Sequence, residues 1–181
     1  MSGEERSTGW RTEFERRPLW APWRLEYIRD IGKESGCFFC RKGGQPEKDV
    51  ENFVVARGET AFLLLNAFPY NSGHVLVAPY RHVGDLSDCT SNERLEMLDL
   101  VTCLKDVMAR VMHPHGFNFG FNIGEAAGAG VASHIHGHLV PRWTGDTNFM
   151  PVLADTRVVP EALEKTTELL REAWAEEYGD G

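Results

Sequence analysis

Between residues 53 and 79 the apolar positions fall into three short runs, Phe53–Arg57, Ala61–Asn66 and His74–Pro79. Gly58-Glu59 separates the first two, and Pro69-Tyr70-Asn71-Ser72-Gly73 the second and third. Short apolar runs bounded by turn-forming residues are strand signals, and connections this short predict an antiparallel meander. The period then changes. Leu98, Val101, Leu104, Met108 and Val111 recur at helical spacing behind Thr90-x-x-Glu93, which reads as a capping box opening a helix with one buried stripe. Pro114 and Gly116 oppose its continuation. Phe117–Ile123 alternates aromatic and polar residues like a half-buried strand, Gly124 to Ala132 is a loop of small residues, and Ser133–Arg142 reads as a further strand. Pro160 suits the first position of a last helix reaching about Tyr178, with Leu163, Leu170 and Trp174 as its inner face. The pattern predicts an α+β fold, an antiparallel sheet with packed helices. Residues 1–17 are polar and charged and predict a flexible arm. The aromatic-rich stretch Leu19 to Ile28 predicts packing against its own domain or a partner subunit, the former favoured, and 18–181 read as one domain with N- and C-terminal extensions.

Composition narrows the classes. A hydrophobic share of 42% and a charged share of 25% suit a soluble globular chain. A net charge of −8 argues against a nucleic-acid-binding surface, which needs a basic face to displace counterions. It leaves room for a phosphorylated small ligand held by backbone N–H groups. No apolar run approaches the ~20 residues that span a bilayer, so no membrane partner is expected. The polar start of the chain has no signal-peptide core behind it. Four cysteines in such a chain point to a reducing, cytoplasmic setting, with thiols or metal ligands rather than disulfides.

The chemistry concentrates in Ser133-His134-Ile135-His136-Gly137-His138-Leu139-Val140-Pro141-Arg142. On a strand, residues two apart share a face, which would set the three imidazoles about 6.5–7 Å apart in a row. An apolar core rarely tolerates three titratable rings side by side, since each needs hydrogen-bond partners. The loop Asn122-Ile123-Gly124-Glu125-Ala126-Ala127-Gly128-Ala129-Gly130-Val131-Ala132-Ser133 precedes them. Its small residues let backbone approach a ligand, and successive N–H groups can cradle an anion. Together they suggest a phosphate held beside a nucleophile. A neutral histidine serves when one ring nitrogen is bare and the other donates a hydrogen bond that fixes the tautomer. His136, the middle ring, is the candidate nucleophile, with His138 assisting orientation or stabilising charge on the phosphoryl oxygens.

This stretch resembles the histidine-triad (HIT) motif, His-φ-His-φ-His-φ-φ, with Gly137 at one φ position. The likeness extends through LNAFPYNSGHVLVAP and through PRWTGDTNFMPV, covering most of residues 37–153. With the aromatic N-terminal arm, the block AAGAGVASHIHGHLVPRWTGDTNFMPV is most similar to the bacterial diadenosine tetraphosphate phosphorylase branch. The resemblance implies a HIT-like fold, a homodimer, and His136 attacking the α-phosphate of a dinucleoside polyphosphate to form a nucleotidyl-histidine. Phosphate or water would then release the nucleotide. It places Asn66 on the ribose hydroxyls and Asn122 with the backbone of Gly130, Val131, Ala132 and Ser133 near the phosphates. A divalent cation, Mg2+ or similar, is expected to travel with the polyphosphate. Many hydrolase-type members carry Gln where this chain has Gly130, so water positioning is weakened and inorganic phosphate has room as second nucleophile. His138 stands where galactose-1-phosphate uridylyltransferases have Gln, which argues against a sugar-nucleotide transferase.

Cys37-x-x-Cys40 alone fits a redox pair, a zinc half-site or two buried small residues, though no βαβ context supports a thioredoxin-like role. Related family members complete a zinc site with two histidines. The resemblance therefore implies structural Zn2+ on Cys37, Cys40, His82 and His134, the four N/S ligands a closed site needs. Cys89 and Cys103 read as ordinary thiols. His113-Pro114-His115 sits at a helix end without a glycine loop and reads as a solvated turn. His74 reads as structural or rim-forming rather than catalytic. Two rival functions remain beside the polyphosphate reading: a nucleoside phosphoramidate hydrolase, and a nucleotide-binding regulatory module without turnover. A third reading makes the triad a catalytic metal site.

Overall fold

The structure, a computed structural model, describes residues 36–146 and 162–179. The arm at 1–17, the aromatic stretch at 19–28 and the expected helix start at Pro160 lie outside the described residues. The elements in chain order are α1 (Phe38–Gly43), β1 (Val54–Arg57), β2 (Ala61–Leu65), β3 (Val75–Pro79), α2 (Ser91–Met112), β4 (Gly116–Phe121), β5 (Gly137–Arg142) and α3 (Leu163–Tyr178), with short 3-10 turns at Pro46–Lys48 and Glu125–Ala127. The expected α+β class holds. Among the described residues, five antiparallel strands form one sheet in the order β1-β2-β3-β5-β4, so β5 is inserted between β3 and β4.

Both faces of the central strands are covered, which explains why β2 and β3 are apolar throughout rather than alternating. Leu63, Leu65, Val75, Val77 and Leu139 pack with Met97, Leu104, Met108, Leu170 and Trp174 of the two long helices. On the opposite face Phe62, Leu64, Leu76 and Ala78 pack with Phe39 of α1. The α2 N-terminus is the expected capping box: Glu93 N–H donates to Thr90 Oγ1 (3.2 Å) and Thr90 N–H donates to Glu93 Oε2 (2.7 Å). The helix ends at Met112, with His113 in the left-handed region, φ 50°. Leu98 is not part of the stripe; it is 49% exposed. The inward face runs through Met97, Leu100, Val101, Leu104, Val107 and Met108, and one step past Met97 turns a side chain about 100° away. On α3 the buried face is Thr166, Thr167, Leu170, Ala173 and Trp174, with Leu163 only half-buried, and Arg171 Nη1 donates to Val54 O (2.7 Å).

The histidine segment departs from expectation. Its strand begins at Gly137, not Ser133. The ladder with β3 runs Val75↔Leu139, Leu76↔His138, Val77↔Gly137; continued, it would next need an N–H from Pro79, which has none. The preceding chain pairs elsewhere instead. His134 N–H donates to Val131 O (3.2 Å) and Ile135 N–H to Val83 O (2.6 Å). The three histidines therefore do not line one strand. His138 lies on the strand, His136 at its mouth and His134 in the turn before it.

Candidate active site and metal centre

His138 is the cross-strand partner of Leu76, and paired residues share a face, so it projects from the sheet side opposite the long helices. His136 is buried and His138 half-buried, their ring centroids 5.0 Å apart at 60°. The contraction from the strand spacing follows from His136 standing just outside the pleat. His136 Nδ1 donates to the His134 carbonyl (2.9 Å), which leaves Nε2 as the bare nitrogen. Burial holds its pKa below the ordinary histidine value, opposed by that backbone hydrogen bond. The ring is thus neutral near pH 7, the form that attacks.

A fourth histidine joins them. His74 is fully buried at the head of β3, and its Nδ1 accepts from the Tyr70 N–H (3.0 Å) and from Asn66 Nδ2 (3.3 Å). An acceptor Nδ1 puts the proton on Nε2, which donates to His138 Nδ1 (3.1 Å). In its neutral form His138 therefore carries its proton on Nε2, as an N–H donor beside His136. Tyr70 stacks on His74 with centroids 4.8 Å apart. The full burial of His74 fits its expected structural place, and its contact with His138 is what the sequence did not show. Its one signal was a histidine opening an otherwise apolar strand, and its contact with His138 depends on the nonlocal β3–β5 pairing.

Of the residues expected at the nucleotide, Asn66 touches His74 and Val131 packs on the same sheet face. The Asn66 carboxamide bridges His74 and the Phe68 N–H, which donates to Asn66 Oδ1 (2.9 Å). Asn122 is half-buried just past β4, and Gly130 and Ser133 are exposed. Val131 packs against the Phe39–Phe62–Leu64–Leu76 cluster. The Ala132 carbonyl faces Gly84, where an added Cβ would lie 3.2 Å from it. His113 and His115 are exposed, as expected of a solvated turn.

The four expected metal ligands converge. One donor atom each from Cys37, Cys40, His82 and His134 lies within 4.8 Å of every other. Cys37 Sγ stands 3.3 Å and Cys40 Sγ 3.6 Å from His134 Nδ1, with Cys40 Sγ 3.4 Å from His82 Nδ1. Tetrahedral Zn2+ with Zn–S ≈ 2.3 Å and Zn–N ≈ 2.0–2.1 Å requires S···N edges of about 3.5 Å. The donor set fits that ion in number, chemistry and spacing. His134 Nε2 donates to the Pro79 carbonyl (2.9 Å), which leaves Nδ1 bare toward the thiols, the outer-shell arrangement usual for a ligating histidine. Burial keeps His134 neutral, and burial with the neighbouring Cys37 pushes the Cys40 thiol up; a cation bound there would reverse that.

Fold and site together set a buried, neutral His136 at the mouth of β5, between His138 and a Cys2His2 cluster. The HIT domain family profile matches residues 47–145. An AP-4-A phosphorylase from Mycobacterium tuberculosis is 37% identical over 94% of this chain and 90% of its own length. The asymmetrical bis(5'-nucleosyl)-tetraphosphatase of Schizosaccharomyces pombe is 33% identical over 51% of this chain and 50% of its own. Among solved structures, a zinc-bound histidine triad family protein from Mycobacterium smegmatis superimposes with a TM-score of 0.62 at 27% identity, covering 78% of this chain and 94% of that one. The chain belongs to the HIT domain family.

Proposed function

We propose that this protein is a dinucleoside polyphosphate phosphorylase that splits diadenosine tetraphosphate through a nucleotidyl-histidine. The observation that carries the reading is the fixed tautomer of His136, whose Nδ1–H is committed to the His134 carbonyl. Its support among relatives is the AP-4-A phosphorylase, similar over nearly the whole chain. In the first step the lone pair of His136 Nε2 forms a bond to the α-phosphorus, the P–O bond to the rest of the chain breaks, and ATP leaves. His138, its Nδ1 tied to His74, offers an N–H to the departing oxygen. In the second step an oxygen of inorganic phosphate attacks the same phosphorus, the P–N bond breaks, and ADP leaves with His136 restored. Asn66 would meet the ribose hydroxyls, and Asn122 with the backbone of Gly130, Val131, Ala132 and Ser133 the phosphates.

Cys37, Cys40, His82 and His134 would hold Zn2+ as a structural crosslink between α1, the loop after β3 and the turn before β5. Mg2+ or a similar cation would accompany the polyphosphate. The working unit is read as a cytoplasmic homodimer.

Product analysis with and without inorganic phosphate tests the assignment. Phosphate-dependent ADP plus ATP is the expected outcome, lost in His136→Ala. AMP plus ATP without phosphate would make the protein a hydrolase. Preference for P–N substrates would make it a phosphoramidate hydrolase, and no turnover by the wild type would leave a binding module.

A further inference from the structure

Phe39 lies in the middle of Cys37-Phe38-Phe39-Cys40, between the two thiols of the metal quartet. Its side chain does not point to the quartet alone. It is 1% exposed, and its ring lies 5.1 Å from the His134 ring at 39° and 4.7 Å from the His136 ring at 34°. Phe38 meets its edge at 5.0 Å, and Phe62, Leu64 and Leu76 pack with it from the sheet.

Besides the T-shaped contact with His138, two contacts hold His136, one from a residue of the metal quartet and one from a residue between its two cysteines. The first is the His134 carbonyl, which accepts from His136 Nδ1 and belongs to a ligand residue. The second is the Phe39 ring, tilted by 34° against the imidazole and carried on the first turn of α1, between Cys37 and Cys40. We propose that Phe39 is a positioning residue: it transmits the geometry of the Cys37–Cys40–His82–His134 cluster to His136 and fixes the plane in which Nε2 is presented. The quartet, on this view, serves the reaction as well as the fold. The inference rests on the reading of His136 as nucleophile.

The physical argument is rotational. A single hydrogen bond at Nδ1 sets which nitrogen is bare but still lets the ring swing about that bond. A flat aromatic surface against the face removes the swing, and an aliphatic side chain of similar volume would fill the space without defining a plane. Attack at phosphorus requires the lone pair in line, so lost orientation lowers the rate of the chemical step rather than the affinity for nucleotide.

The test uses the full-length zinc-loaded protein and its Phe39→Leu variant, with zinc content and circular dichroism confirming that both are loaded and folded. The first readout needs no substrate: the exchange rate of the His136 Nδ1 proton, followed by NMR in 15N-histidine-labelled protein. The second is the rate of adduct formation with diadenosine tetraphosphate in a single turnover, beside KM. In Phe39→Leu the proton is expected to exchange faster. The adduct should form about 10- to 100-fold more slowly, the usual scale for an outer-shell defect, while KM stays within about threefold. Removal of zinc from the wild type is expected to speed the same proton exchange. A loaded, folded Phe39→Leu protein with unchanged exchange and unchanged adduct rate would overturn the proposal. Should that variant fail to fold, Phe39→Met carries the same comparison. Should the wild type form no adduct, the phosphorylase reading falls, while the exchange measurement still decides whether Phe39 and the cluster position His136.

Discussion

At the scale of single residues, direction of hydrogen bonding does most of the chemical sorting. The Tyr70 amide can only donate, so His74 must accept at Nδ1 and donate at Nε2, and His138 must accept in turn. His74→Ala should therefore slow adduct formation by about 100-fold, the lower end of what a positioned acid–base group contributes, with zinc content unchanged. Single-turnover trapping of labelled nucleotide would measure it, and an unaffected rate would reduce His74 to packing. Gly137 is a second case. A Cβ there would lie 2.9 Å from Val77 Cγ1 and 3.1 Å from both the Phe119 and Phe121 rings. The small residue in the triad pattern thus follows from a close approach of β5 to its neighbours. Gly137→Val is expected to cost at least about 1–3 kcal/mol by overpacking, read as a lower urea midpoint. The triad histidines and the Cys37-x-x-Cys40 pair were legible in the sequence because their types and spacings are chemically unusual, and His82 only through the family resemblance. Phe39 and His74 were not, since a buried phenylalanine and a strand-end histidine are ordinary until the fold brings them to His136 and His138.

At the scale of elements, sequence signals worked where the structure is local. The capping box placed the α2 start correctly, and Pro114 with Gly116 marked its end. They failed where a neighbour decides. Ser133–His136 looked like strand by alternation, but Pro79 interrupts the ladder they would need. The short α1 carries too few residues to show a period. Glu93 illustrates an element end with two duties. It closes the capping box, and Arg81 from the loop after β3 donates to its carboxylate at 2.6 Å. The Arg81 guanidinium, with the Thr90 hydrogen bonds, holds its pKa at about 2 against an ordinary 4.5. A depressed carboxylate contributes stability that is present above its unfolded pKa and lost as pH falls through the folded one. Melting temperature should therefore drop between pH 4.5 and about 2, and Glu93→Gln should be less stable at neutral pH while losing less over that window. Thermal melts across the range would check it; parallel curves for the two proteins would count against this pairing.

At the scale of the whole molecule, the β1-β2-β3 meander followed from short connections and the α+β class from the change to helical spacing after it, whereas the place of β5 followed from neither. Adjacent runs reveal hairpins, but no local pattern states that β5 slides between β3 and β4. The described residues contain no helix long and apolar enough to cross a membrane. The inserted strand also bears on how the chain acquires activity. Until β5 enters, β3 and β4 have no common neighbour, since each pairs with it rather than with the other. Pairings so distant in sequence are late and slow steps of folding. His134, His136 and His138 arrive with that one segment, so the ring proposed as nucleophile, its neighbour and the last of the four Cys/His donors are delivered together. A chain halted before this event would hold the meander, the first two helices, and Cys37, Cys40 and His82 without their fourth partner, and it would lack His136 and His138 at the site. Completion of the sheet and assembly of the proposed site therefore coincide in the same strand.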